Sequence, residues 1–267
     1  MPFEFLSLTG SLTRARALES LLAASSVGDA EAELCLNARA IERVDVVAAT
    51  ATRMRIARHL REHPRGHVSI WPPSRSLIAA RYADMLSPLP DRVSVVPIPQ
   101  TAAPAHYTLI PATQVRDSED AMLSGGYVFD ACRKARISRQ RARFISEATM
   151  ELADNAVIHA ADAADPPVLA VTSLGRERIV EVAVTDSGTT ISEANDAPSL
   201  VRQIPGRAIA GEPGFLGQIL RRGHEADVAL TVEVFAGVAR LVWTSAQHRT
   251  VRRRYVPGMT VVARIAA

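Results

Sequence analysis

Residues 147–160, EATMELADNAVIHA, are apolar on nearly every side, yet Glu147, Glu151, Asn155 and His159 recur at every fourth position. At 3.6 residues per turn, positions four apart stack on one face of a helix. A core-like helix therefore carries a single polar stripe, with Asp154 adding another acid beside it. Charged groups are rarely buried without a partner or a task. The stripe thus reads in one of two ways, as a buried hydrogen-bonded pair or as the wall of a polar pocket. The pocket reading decides how the rest of the chain is assembled.

The chain has 267 residues, enough for two domains. It is 48% hydrophobic but only 4% aromatic, so its cores must be built from Ala, Val, Leu and Ile. The formal charge is +3 and the basic residues are almost all Arg, with Lys134 the only lysine. That pattern fits a coding bias better than a nucleic-acid track, and nucleic acid is disfavoured as a partner. The two cysteines, Cys35 and Cys132, lie far apart and suggest no disulfide framework. The opening stretch MPFEFLSLTG lacks the basic-then-apolar order of a signal peptide. No apolar run approaches the ~20 residues that a membrane-spanning helix needs. The expectation is a cytoplasmic protein with no membrane partner.

Residues 1–97 alternate between strand and helix patterns. FEFLSL, AELCLNA, HVSIW and RVSVVP read as strands. Between them, SLTRARALESLLAASS, VVAATATRMRIARHLREH and SRSLIAARYADML read as helices, the first with Ser11 as its N-cap. This alternation predicts an α/β layer domain. Residues 98–107 are a Pro-containing linker. Residues 108–267 then read as helices near 118–134 and 138–161, strands PVLAVTSL and RIVEVAVT, a loop from Asp186 to about Gly214, a helix FLGQILRRG, and three strands VALTVEVF, VARLVWT and TVVARI. That grouping predicts an α+β sandwich, a mixed sheet with helices on one face. HLREHPRGH spaces His59, His63 and His67 by four, but Pro64 breaks the helix that would align them, so a metal site is disfavoured. HRTVRRRY reads as a solvated basic edge of a hairpin.

Three features of the second half fall in a telling order: ELADNAVIHA, then VAVTDSGTTI at the end of a strand, then GEPGFLGQIL running into a helix. In this order they resemble the GHKL superfamily of ATP-binding domains, which includes gyrase and the histidine kinases. The closest likeness is to the anti-sigma-factor kinase branch. ELADNAVIHA is similar to its N box, DSGTTI to its first glycine box, GEPGFLGQIL to its second, and PGMTVVARI to its late Gly-Thr strand. The resemblance spans residues 108–267 and implies a Bergerat-type pocket for ATP and Mg²⁺. Asn155 would contact the metal and Glu151 would act as the catalytic base. Asp186 would accept from the adenine amino group, Gly188 would let the base approach the backbone, and Thr260 would support the adenine end. Gly211, Gly214 and Gly217 would belong to a phosphate loop, where free backbone N–H groups favour anions. Glu147, Asp154 and His159 are bystanders in this reading. The sequence departs from the pattern at Thr190, where a second glycine is usual, and a β-branched residue restricts the start of the ATP lid at 189–213.

Three stretches of the first half, LSLTGSLTRARALESLLAA, AELCLNARAIERVDVVAATATRMRIARHL and HVSIWPPSRSLIAARYADML, resemble a STAS domain, the fold of anti-sigma-factor antagonists. The phosphorylatable members carry Ser after the Asp that opens the second helix. Here Val46 follows Asp45, and Thr50 and Thr52 lie a turn later, which implies docking rather than a phosphate switch. Together the resemblances imply a regulatory protein. It would bind ATP-Mg²⁺ and control a protein partner such as a sigma factor or a STAS-domain protein, or a second copy of itself. Any chemistry would be phosphoryl transfer to a Ser/Thr or slow hydrolysis. The alternative is a non-catalytic scaffold with a degenerate nucleotide site.

Overall fold

The computed structural model describes residues 3–12, 14–22, 32–97, 108–161, 163–174, 178–187, 219, 222–225, 228–244 and 248–266. The chain forms two sheets. Strands β1 (Phe3–Leu12), β2 (Glu33–Val44), β3 (His67–Trp71) and β4 (Val93–Val95) make a parallel sheet in the order β1-β2-β3-β4. Helices α1 (Arg14–Leu21), α2 (Val46–Glu62) and α3 (Ser76–Leu86) make the crossovers. Right-handed crossovers between sequential parallel neighbours put all the helices on one face. Accordingly, Leu18, Ala49 and Met85 share one core with Leu34, Leu36, Val68 and Ile70. On the other face Phe5 meets Trp71 edge-on, with ring centroids 6.0 Å apart, and the Arg39 guanidinium lies 4.7 Å from the Trp71 ring centre.

The second sheet comprises β5 (Thr108–Gln114), β6 (Val168–Leu174), β7 (Ile179–Asp186), β8 (Leu230–Thr244) and β9 (His248–Ala266) in the order β5-β6-β7-β9-β8. Every neighbouring pair is antiparallel, so the expectation of a mixed sheet is corrected. The three strands expected after residue 228 are two long ones. VALTVEVF and VARLVWT run as a single strand through Gly237, where the register shifts and φ is +54°. Likewise the first helix begins at Arg14, because Ser11 and Leu12 still pair with β2.

Helices α4 (Ser118–Lys134) and α5 (Arg139–His159) cover one face of this sheet. Asp117 caps α4 by accepting from the Asp120 amide at 2.8 Å, and Ser138 caps α5 through Arg141. The helices pack closely at Gly125, where an added Cβ would stand 3.1 Å from the Ser146 carbonyl. The expectation of helices on one face only is also corrected. Ala112, Val168, Ala170, Ala183, Phe235 and Val262, on the second face, are buried in one cluster with the residues of α1–α3. Helix α2 is the shared layer. Its residues Val46, Val47, Ala48, Ala49, Thr50, Ala51 and Thr52 are all buried, as a helix between two sheets must be. Asp45 fixes its start, accepting from the amides of Val47 and Ala48 at 3.0 and 3.1 Å. The result is a layered α/β molecule: parallel sheet, helices, antiparallel sheet, helices. No described helix is long and apolar enough to cross a membrane. Cys35 and Cys132 are both buried free thiols, and burial pushes the Cys132 thiol up to about 11.

Candidate functional site

The polar stripe lies along the border of the buried face of α5. Ala148, Leu152 and Ala156 pack into the core with Val180, Val182 and Val184 of β7. Asn155 stands three residues past Leu152 and seven past Ala148, on the flank of that buried face. Glu151, one turn earlier, is half-buried, as is Asn155. The Asn155 carboxamide nitrogen and one carboxylate oxygen of Asp154 are shut off from solvent. Neither has a hydrogen-bond partner among the described residues. A buried amide left in this way costs about 1–3 kcal/mol unless something answers it.

Asp186 ends β7 with only 2% of its surface exposed. Side chains alternate along a strand, so Asp186 lies on the same face as Val180, Val182 and Val184, the face that α5 covers. Gly258 makes this corner possible. It holds φ +77°, and a Cβ there would lie 2.0 Å from the Asp186 carbonyl oxygen. The structure therefore brings α5, with Glu151 and Asn155, against the sheet that ends in Asp186.

Thr260 is not part of this grouping. It pairs with Thr185 across the β7–β9 ladder, while Asp186 pairs with Met259, so Thr260 points to the opposite face. There its hydroxyl donates to Thr185 at 3.1 Å, and Thr185 meets the Thr50 hydroxyl at 2.8 Å. Thr50 uses its own proton on the Val47 carbonyl, which makes Thr185 the donor to Thr50. The expectation that Thr260 supports the adenine end beside Asp186 is corrected: it belongs to a hydroxyl chain under α2. Gly188, Gly211, Gly214 and Gly217, with Thr190 and the lid at 189–213, lie outside the described residues.

Glu147 is engaged in ion pairs, with Arg143 at 2.7 Å and Arg222 at 3.7 Å, which fits its place as a bystander. The histidines resolve differently from one another. His59 is fully buried and its Nε2 bonds the Ala32 carbonyl at 3.0 Å, His63 packs with ring centroids 4.5 Å away, and His67 on β3 meets Ser94. Burial pushes the His59 imidazole down to about 4, and the neighbouring His63 and Arg55 add to that fall.

The sequence reading passed over the charges on α2. Arg55 is completely buried and pairs with Glu4 on β1. Arg61 clasps Asp165 of the other half through both carboxylate oxygens, at 2.8 and 3.1 Å. The signal was present, since Arg55 and His59 continue the periodicity of the buried apolar residues Ala48, Ala51, Met54 and Ile56. Comparison of the chain with protein-family models and with curated proteins finds no match.

Proposed function

We propose that residues 108–267 form a GHKL-type pocket for ATP and Mg²⁺, and that residues 1–97 are a STAS-like domain packed on the back of its sheet. The observation that carries this reading is the Asn155 carboxamide nitrogen, unanswered among the described residues, on α5, the helix that covers the face of the sheet on which Asp186 ends β7. A carboxamide offers its hard oxygen to Mg²⁺, and its unanswered nitrogen would donate to an acceptor such as a phosphate oxygen. A buried carboxylate at a strand end is a ready acceptor for an exocyclic amine. The residues present thus fit the group. Asn155 would hold the metal, Asp186 would fix the adenine, and Glu151, one helical turn before Asn155, would orient and deprotonate a hydroxyl or water. When bound, ATP supplies an electrophilic γ-phosphoryl group. The chain would act as a cytoplasmic regulator whose nucleotide state biases partner binding through differential affinity.

A second reading is favoured by a specific contact. Thr50 is buried and bonded to Thr185, so the first half is fastened to the second rather than presented to a kinase. That suits a scaffold in which the nucleotide, if bound, is not turned over. Calorimetry with ATP, with and without Mg²⁺, tests the binding claim. Asn155→Ala should weaken the Mg²⁺-dependent affinity by about tenfold or more, and Asp186→Asn should weaken binding whether or not metal is present. No heat with wild type, or both variants binding as wild type does, refutes the pocket. Phosphate release abolished in Glu151→Gln supports catalysis, and its absence from wild type leaves the scaffold reading.

A further inference from the structure

A cleft of about 370 Å³ opens between the two halves, within the size range of small-ligand sites. Three guanidinium groups line it, from Arg53, Arg61 and Arg92, against one carboxylate, Asp165. Two of the three cations are already employed. Arg61 is paired with Asp165. Arg92 ties together the end of α2, donating to the carbonyls of Leu60, His63, Pro64 and Gly66. Arg53 is different. Its Nη1 is fully shielded, and the side chain has no hydrogen-bond partner among the described residues. Burial pulls its pKa down, as expected for a desolvated cation. A half-buried guanidinium with one nitrogen shielded and no counter-ion among the described residues is destabilising. Ile56 and Leu60 supply apolar wall beside it.

We propose that this cleft binds a small phosphate monoester, with the dianionic head on Arg53 and a compact apolar body along Ile56 and Leu60. A phosphate monoester carries about −1.5 to −2 charges at neutral pH, which answers the surplus of positive charge around the cleft. The planar guanidinium fork matches phosphate oxygens in pairs. The site is separate from the ATP pocket. It lies on the α2 side of the sheet, and its walls come from both halves: α2, Arg92, Gln114 and the segment around Asp165.

Phenyl phosphate is the probe, titrated calorimetrically into the full chain at constant ionic strength. Binding should be to one site and tighter than that of inorganic phosphate. Arg53→Met keeps most of the side-chain volume and should weaken phenyl phosphate by about tenfold or more. Without ligand it should melt no lower than wild type, because it removes a desolvated charge. Asn155→Ala should leave phenyl phosphate binding unchanged, which separates this site from the ATP pocket. The proposal is overturned by the absence of heat at millimolar probe, by equal affinity in Arg53→Met, or by an affinity no better than that of inorganic phosphate. It is equally overturned if Arg53→Met melts well below wild type, since the guanidinium is then a structural brace.

Discussion

At Gly258 the backbone sits at φ +77°, and any side chain would collide with the Asp186 carbonyl. Both effects act in the folded state alone. Gly258→Ala should therefore lower stability by at least ~2 kcal/mol, read as a shift of the urea midpoint. An unchanged midpoint would mean that the β7–β9 corner is not packed as described. The places of Asn155 and Asp186 in the fold were legible in the sequence because the patterns are local: an amide four residues after an acid on a helix, and an acid at a strand end. Thr260 was not. Its residue type fits an adenine site, but the direction of its side chain is set by register. Thr260 faces Thr185, and Asp186 faces away from both. A shift of one residue would have exchanged Thr260 with Met259.

Helix α2 shows the same division at the scale of an element. Its span was readable from Asp45 at one end and Pro64 beyond the other. Its neighbours were not read, although seven consecutive buried residues from Val46 to Thr52 leave no face for water. An all-apolar helix start is the sequence signature of a layer enclosed on both sides. The far end of α2 is held by His59 on the Ala32 carbonyl and by Arg92 on the last carbonyls. The folded His59 titrates near 4, below its ordinary value of 6.5. The stability this contributes is present above about pH 6.5 and is lost as pH falls from there toward 4. One proton gives a slope of at most ~1.4 kcal/mol per pH unit. Urea midpoints at pH 7.5, 6 and 5 should fall more steeply for wild type than for His59→Phe. Parallel lines would show that His59 takes up its proton without unfolding.

In the whole molecule the two halves differ in sheet type yet share a core, since the second face of the antiparallel sheet is buried against α1–α3. Such halves should unfold together. Trp71 lies on β3 and Trp243 on β8, so each half has one tryptophan. Trp71→Phe and Trp243→Phe leave single reporters, and their fluorescence midpoints in urea should coincide with each other and with the circular-dichroism midpoint. Two separated midpoints would show that the interface under α2 is not part of the cooperative unit. The sequence by itself determined most of the elements, the change from strand–helix alternation to helices followed by grouped strands near residue 100, and the polar stripe on α5. All of these follow from periodicity and capping within a few turns of chain. Only the tertiary structure decided that the sheet is covered on both faces, that Thr260 turns from Asp186, and that Arg53, beside Asp165, has no partner among the described residues. Each of these depends on residues far apart in the chain being brought together, as Arg61 and Asp165 are and as Thr185 and Thr260 are, and no local pattern records such a meeting.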